Sequence, residues 1–91
     1  MKTLLTNQTT NGSGSPVDAK DGGYRIVRFY GTFDGCSVTV EADFGDGNFV
    51  AAQDTPKTEA GLIYLQLAQG MRVRATVSNA GASTDISVDM A

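Results

Sequence analysis

The sequence predicts an all-β domain, an antiparallel sandwich of two sheets. Three observations carry that expectation. Apolar residues recur at every second position in short runs: Cys36, Val38, Val40, Ala42 and Phe44 alternate with Ser37, Thr39, Glu41 and Asp43, and Met71, Val73, Ala75 and Val77 alternate with Arg72, Arg74, Thr76 and Ser78. A period of two gives one set a shared buried face and leaves the other in water. The runs are separated by clusters of Gly, Asp and Asn, the residues of tight turns. Finally, six or seven such segments each offer one apolar face, the pattern of two pleated layers stacked on a common core. A jelly-roll-like sandwich is the leading form at this size, with an immunoglobulin-like sandwich or a small barrel as alternatives.

Residues 1–20 read as an N-terminal arm. Leu4 and Leu5 are the only strong hydrophobes before Val17, and the intervening run T-N-Q-T-T-N-G-S-G-S-P is too polar and too flexible to build a core. Two forms compete, an edge strand over 2–8 or a flexible arm that orders against a partner. The sandwich domain is then residues 21–91, opening on the turn Asp21-Gly22-Gly23.

The stretch 24–33 is a strand with apolar residues on both faces. Val27, Phe29 and Phe33 share one parity; Tyr24, Ile26 and Tyr30 share the other, with Arg28 among them. Such a strand is central or has its second face covered. Tyr and Arg are enriched where proteins meet proteins, which makes Tyr24, Arg28 and Tyr30 candidate interface residues. The plainer alternative buries the tyrosines beneath the N-terminal segment or a loop. Asp34-Gly35 reads as a tight turn that folds this strand back on 36–44 as a long hairpin.

Further on, Gly45-Asp46-Gly47-Asn48 is a turn, 49–52 a short strand and 53–60 a connection, in which Pro56 has no N–H to give a ladder. The next strand, 61–68, places Ile63, Leu65 and Leu67 on one face and Leu62, Tyr64 and Gln66 on the other. The final strand directs Ile86, Val88 and Met90 inward and Asp85, Ser87 and Asp89 outward. Short turns at Gln69-Gly70 and 79–82 make the last three strands a meander, with the Arg72/Arg74 pair facing the Asp85/Asp89 pair across strands.

Composition removes most chemistry. The chain has 91 residues, seven basic against ten acidic side chains for a net charge of −3, no His, no Trp and one Cys. Without His, and with a single Cys, the usual zinc, copper and haem ligand sets cannot be assembled, and no His-based triad or general base exists. The expectation is no catalytic residue, no cofactor and no metal. Asp43, Asp46 and Asn48 have oxygen-ligand spacing, but the twelve-residue calcium loop with its closing Glu is missing. Asp43-Phe44-Gly45 matches the kinase tripeptide without any other kinase element. Arg25, Arg28, Arg72 and Arg74 with three tyrosines suggest a nucleic-acid face, against which the acidic balance weighs. Cys36 reads as a small buried hydrophobe. The N-terminus turns polar too early for a signal peptide, and no run is long enough to span a bilayer, so the expected site of synthesis is a cytoplasm.

The run Gly31-Thr32-Phe33-Asp34-Gly35-Cys36-Ser37-Val38-Thr39-Val40-Glu41 resembles a strand pair of small virion proteins of tailed bacteriophages, in which G-T-F-x-G-A-x-V-x-L/V precedes a short aromatic-bearing strand, here Asp46-Gly47-Asn48-Phe49-Val50. Leu67-Ala68-Gln69-Gly70-Met71-Arg72-Val73-Arg74-Ala75-Thr76-Val77, then Gly81, then Ile86-Ser87-Val88 continue the likeness, which covers about residues 22–90. Cys36 stands where the pattern favours Ala, a sterically mild departure. The resemblance implies a non-enzymatic β-sandwich that decorates or cements a capsid or sits in a tail or fibre, made in the host bacterial cytoplasm and located in the virion. Its expected partners are further copies of itself and a major capsid or other virion protein, with no nucleic acid, membrane or small-molecule substrate. Leu4, Leu5, Tyr24, Arg28, Tyr30 and Tyr64 are then the expected interface, and a carbohydrate-binding tail module is the alternative.

Overall fold

The alternating runs become the strands of two antiparallel sheets. The computed structural model describes residues 1–91 and contains β1 (Lys2–Gln8), β2 (Gly12–Ser13), β3 (Val17–Asp18), β4 (Gly23–Thr32), β5 (Ser37–Asp43), β6 (Val50–Ala51), β7 (Gly61–Leu67), β8 (Arg72–Ser78) and β9 (Asp85–Met90). One sheet has the order β1-β9-β4-β7. The other runs β2-β8-β5-β6, with β3 also paired to β8. The fold is therefore an all-β antiparallel two-sheet sandwich.

The inward parities meet in one core. Val27 and Phe29 of β4, Ile63 and Leu65 of β7 and Ile86, Val88 and Met90 of β9 face Val38 and Val40 of β5 and Val73, Ala75 and Val77 of β8, all buried. Valine and isoleucine dominate because β-branched side chains pack well on a pleated, half-buried surface. Cys36 is buried just before β5.

Two expected connections are corrected. The 24–33 and 36–44 segments do not form a hairpin, because β4 and β5 lie in opposite sheets. Nor are the last three strands a meander: β7 and β9 belong to one sheet and β8 to the other. Alternation decides which side chains share a face, but not which strand lies beside which. The chain crosses between layers at Asp34 and Gly35, both left-handed at φ 47° and 81°. The far loop holds this crossing. Ser83 N–H donates to the Asp34 carboxylate at 2.8 Å, and the buried Thr84 hydroxyl donates to the Phe33 carbonyl at 2.9 Å.

The N-terminal segment is also corrected. Residues 1–20 are no arm: β1 pairs with β9, β2 and β3 pair with β8, and Ala19 is in the core. The edge-strand form is the one adopted over 2–8. Adjacent Leu4 and Leu5 cannot both face inward from a regular strand. They do so here because β1 is irregular. Thr3 pairs with Asp89 and Leu5 with Val88, so two steps on β1 match one on β9. A bulge of this kind re-aims one side chain. Phe44 is likewise not part of the inward row; the strand ends at Asp43 and Phe44 sits in the turn, 78% exposed.

Candidate interaction surface

The outer faces of the two sheets differ in kind. On the β5/β8 side the outward row is polar and internally satisfied. Glu41 accepts from Arg74 Nε at 3.1 Å and from the Thr76 hydroxyl at 2.7 Å, while Thr76 and Ser13 share a hydrogen bond of 2.6 Å. Arg74 and Arg72 flank the Phe49 ring, at 4.0 and 5.5 Å from its centroid. Arg72 also engages Asp43. The Arg72/Arg74 pair therefore faces Asp43 and Glu41 of β5, which corrects the expected pairing with Asp85 and Asp89. These two strands are neighbours only in the tertiary structure.

The outer face of β4 and β7 is apolar. Their register sets Tyr24 opposite Gln66, Ile26 opposite Tyr64 and Arg28 opposite Leu62. Tyr24 is 73% exposed, Leu62 52% and Tyr64 50%, and Ile26 and Tyr30 are exposed as well. The Tyr24 and Tyr64 rings meet edge to face with centroids 6.4 Å apart and an interplanar angle of 65°. No loop covers them, which corrects the plainer expectation that Tyr24 and Tyr30 lie under another segment. At the β9 side the patch ends in a charged pair. Arg28 donates to Asp89 at 2.5 Å and lies over the Tyr30 ring, 4.6 Å from its centroid. Its hydrogen bond to the Asp89 carboxylate raises the Arg28 pKa above its ordinary value. Asp89, expected in water, is buried beneath this guanidinium.

Of the six candidate interface residues, Tyr24, Arg28, Tyr30 and Tyr64 come together on this face. Leu4 and Leu5 do not, because the β1 bulge turns both into the core. Ile26 and Leu62 belong to the patch and were not singled out, although each shares the parity of a tyrosine that was. The four arginines form no common basic face: Arg28 is on one sheet, Arg72 and Arg74 are on the other, and Arg25 has the inward parity of Val27 and Phe29.

A second apolar feature lies at the open side of the sandwich, between the edge strands β6 and β7. It is a shallow depression lined in part by Phe44, Val50, Leu65, Leu67 and Met71, with Tyr64 at its border. The nearby acids are occupied. Asp43 is held by Arg72 and by Gly47 N–H, and Asp46 accepts from Asn48 N–H, which lowers its pKa. The chain has no cluster of three or more His, Cys, Asp or Glu side chains placed to hold a metal ion. Burial pushes the Cys36 thiol pKa up, the opposite of what a reactive cysteine needs.

No protein-family model, curated protein or solved structure matches the chain.

Proposed function

We propose that this chain is a non-enzymatic structural protein of a bacteriophage particle, a homo-oligomeric decoration or cement protein that docks on the major capsid lattice. The observation that carries this reading is the uncovered face of Tyr24, Ile26, Tyr30, Leu62 and Tyr64 on a small domain whose opposite face is a closed polar ladder. Contiguous exposed apolar and aromatic surface marks a protein contact. A face carrying a single charge pair at its border is suited to a partner surface and offers little to a substrate.

The strand pairing supports a jelly roll as the finer form of the sandwich. With β2 and β3 taken as one interrupted strand, the pairs are nested: β1 with β9, β2/β3 with β8, β4 with β7 and β5 with β6. A long ribbon folded over itself produces this nesting, and eight-stranded rolls of this type are common in viral capsid and lectin domains. The resemblance over residues 31–41 to small phage virion proteins points the same way. The test is fractionation. Particles purified on a density gradient from a host expressing the gene should carry the chain in stoichiometric amount. Its recovery only in the soluble fraction, with intact particles lacking it, removes the reading.

A tail or fibre module that binds carbohydrate is the second reading. The depression beside β6 favours it, because Phe44 and Tyr64 stand there with the side-chain amides of Asn48, Gln53 and Gln66. A glycan array with no bound sugar ends that alternative.

A further inference from the structure

Three of the four sheet edges are guarded. β1 carries Lys2 and two register shifts, and has Asn7 left-handed at φ 47°. The edge formed by β2 and β3 is broken into two-residue pieces separated by a segment containing Pro16. β6 is two residues long. Short strands, bulges, Lys and Pro are the means by which proteins keep edges from pairing with other chains. The fourth edge, β7, has none of them. It runs seven residues, Gly-Leu-Ile-Tyr-Leu-Gln-Leu, regularly paired to β4 and without a charge, a proline or a bulge.

The free backbone groups of β7 follow from the far side of β4. Ile26 N–H donates to Ala91 O at 3.1 Å and Ile26 O accepts from Ala91 N–H at 2.9 Å. Both groups of Ile26 therefore point toward β9 and away from β7. In an antiparallel ladder the opposed residue, Tyr64, then directs its own N–H and C=O away from β4. Residues two apart repeat this, so Leu62, Tyr64 and Gln66 present three donors and three acceptors along the free edge.

We infer that β7 pairs antiparallel with β7 of a second copy of this chain about a two-fold axis at Tyr64, joining the two β1-β9-β4-β7 sheets into one. The register is set by the array itself. Centred on Tyr64, it matches Tyr64 with its symmetry mate and Leu62 with Gln66 of the other copy, and all three donors find all three acceptors. A shift by one pair leaves groups unmatched at both ends. Such an isologous contact is self-complementary. Because β7 is uncharged, it sets no like charges against each other across the axis, despite the net charge of −3. Tyr64 beside its mate extends the Tyr24–Tyr64 contact into one aromatic strip across both protomers.

This deepens the self-association in the proposed function and fails separately from it. A monomer that still co-purifies with particles removes the dimer and leaves the docking. The experiment is sedimentation velocity at about 0.1 mM protomer, where a specific interface of ordinary size is saturated, paired with hydrogen exchange by NMR. A dimer is expected, with the Leu62, Tyr64 and Gln66 amides slowed roughly ten-fold or more between dilute and concentrated samples. Tyr64→Pro removes an outward N–H and no bond to β4, and Gln66→Lys supplies the missing edge charge; each should give a monomer with an unchanged circular dichroism spectrum. Tyr30→Lys, on the same face but off the edge, should remain dimeric. A wild-type monomer, a dimer whose three amides exchange at the same rate at both concentrations, or a dimer that survives Gln66→Lys overturns the inference.

Discussion

The Asp43 carboxylate receives both Nε and Nη2 of Arg72, at 3.2 and 2.6 Å, across the register pair that joins β5 to β8. Gly47 N–H adds a third bond at 2.8 Å, and the carboxylate is buried. Bidentate geometry of this kind is the strong form of an ion pair. It also ties the 44–48 turn to the strand that precedes it.

Strong acid should remove the hold of this carboxylate on the turn. The Arg72 hydrogen bond holds the Asp43 pKa down to about 2. A carboxyl lowered in the folded state contributes stability above its unfolded pKa and loses it as pH falls through the folded value. The loss should therefore fall between about pH 4 and pH 2. Asp43→Asn should lower the urea midpoint at pH 7 and flatten its decline over that interval, with the lowered Asp46 accounting for part of the remaining slope. Denaturation at a series of pH values checks this; an unchanged slope in the variant refutes it.

Leu5→Ala should destabilise the fold by about 2–5 kcal/mol, the cost of truncating a core leucine. Leu4→Ala should do the same. A residue in an arm that orders only on a partner would change the free protein by less than about 0.5 kcal/mol. Urea unfolding of the isolated chain separates the two cases.

Gly31 has φ 116°, and a Cβ added there would collide with the Asp85 carbonyl oxygen. Backbone does not yield as a flexible side chain does. Gly31→Ala should therefore cost at least about 1–3 kcal/mol, and the melting temperature should fall. Gly35→Ala, where nothing lies within 4 Å, meets the φ penalty alone and should cost less.

Cys36 should be silent in the native state. Its thiol is buried with a raised pKa, so an aromatic disulfide reagent should label it only after denaturant is added. Rapid labelling of folded protein would place the thiol at the surface.

Tyr24→Ala should weaken docking on its particle partner by about ten-fold or more if this residue anchors the apolar face, the loss typical of a buried aromatic contact. The Ser13→Ala change on the polar face should leave affinity within about two-fold. Co-sedimentation of purified protein with particles lacking it measures both, and equal losses would show that the apolar face is not the contact.

Strand existence and inward parity were legible because both are local. Val38, Val40, Val73, Val77, Ile86 and Val88 alternate in the chain and alternate in space. The tyrosines of β4 and β7 could likewise be recognised as a second apolar row. Neighbourhood was not legible. Asp34-Gly35 has the chemistry of a hairpin turn, yet the same left-handed residues can carry a chain between layers, and only the contacts from Ser83 and Thr84 select the crossing. The Leu4-Leu5 pair reads as a tip looking for cover; its cover is a bulge, set by pairing with a strand more than eighty residues away.

By itself the sequence determined that this protein is all-β, roughly where the main strands from residue 23 onward fall, and that it lacks the residue types for common metal or His-based chemistry. Those properties follow from single residues and their nearest neighbours. The tertiary structure alone decided which strands pair, that residues 2–8 complete a sheet, that Arg72 meets Asp43, and that β7 is left as an unguarded edge beneath uncovered tyrosines. Each of these depends on closing long loops, and loop closure is governed by the free energy of the whole packed core, which no local pattern encodes.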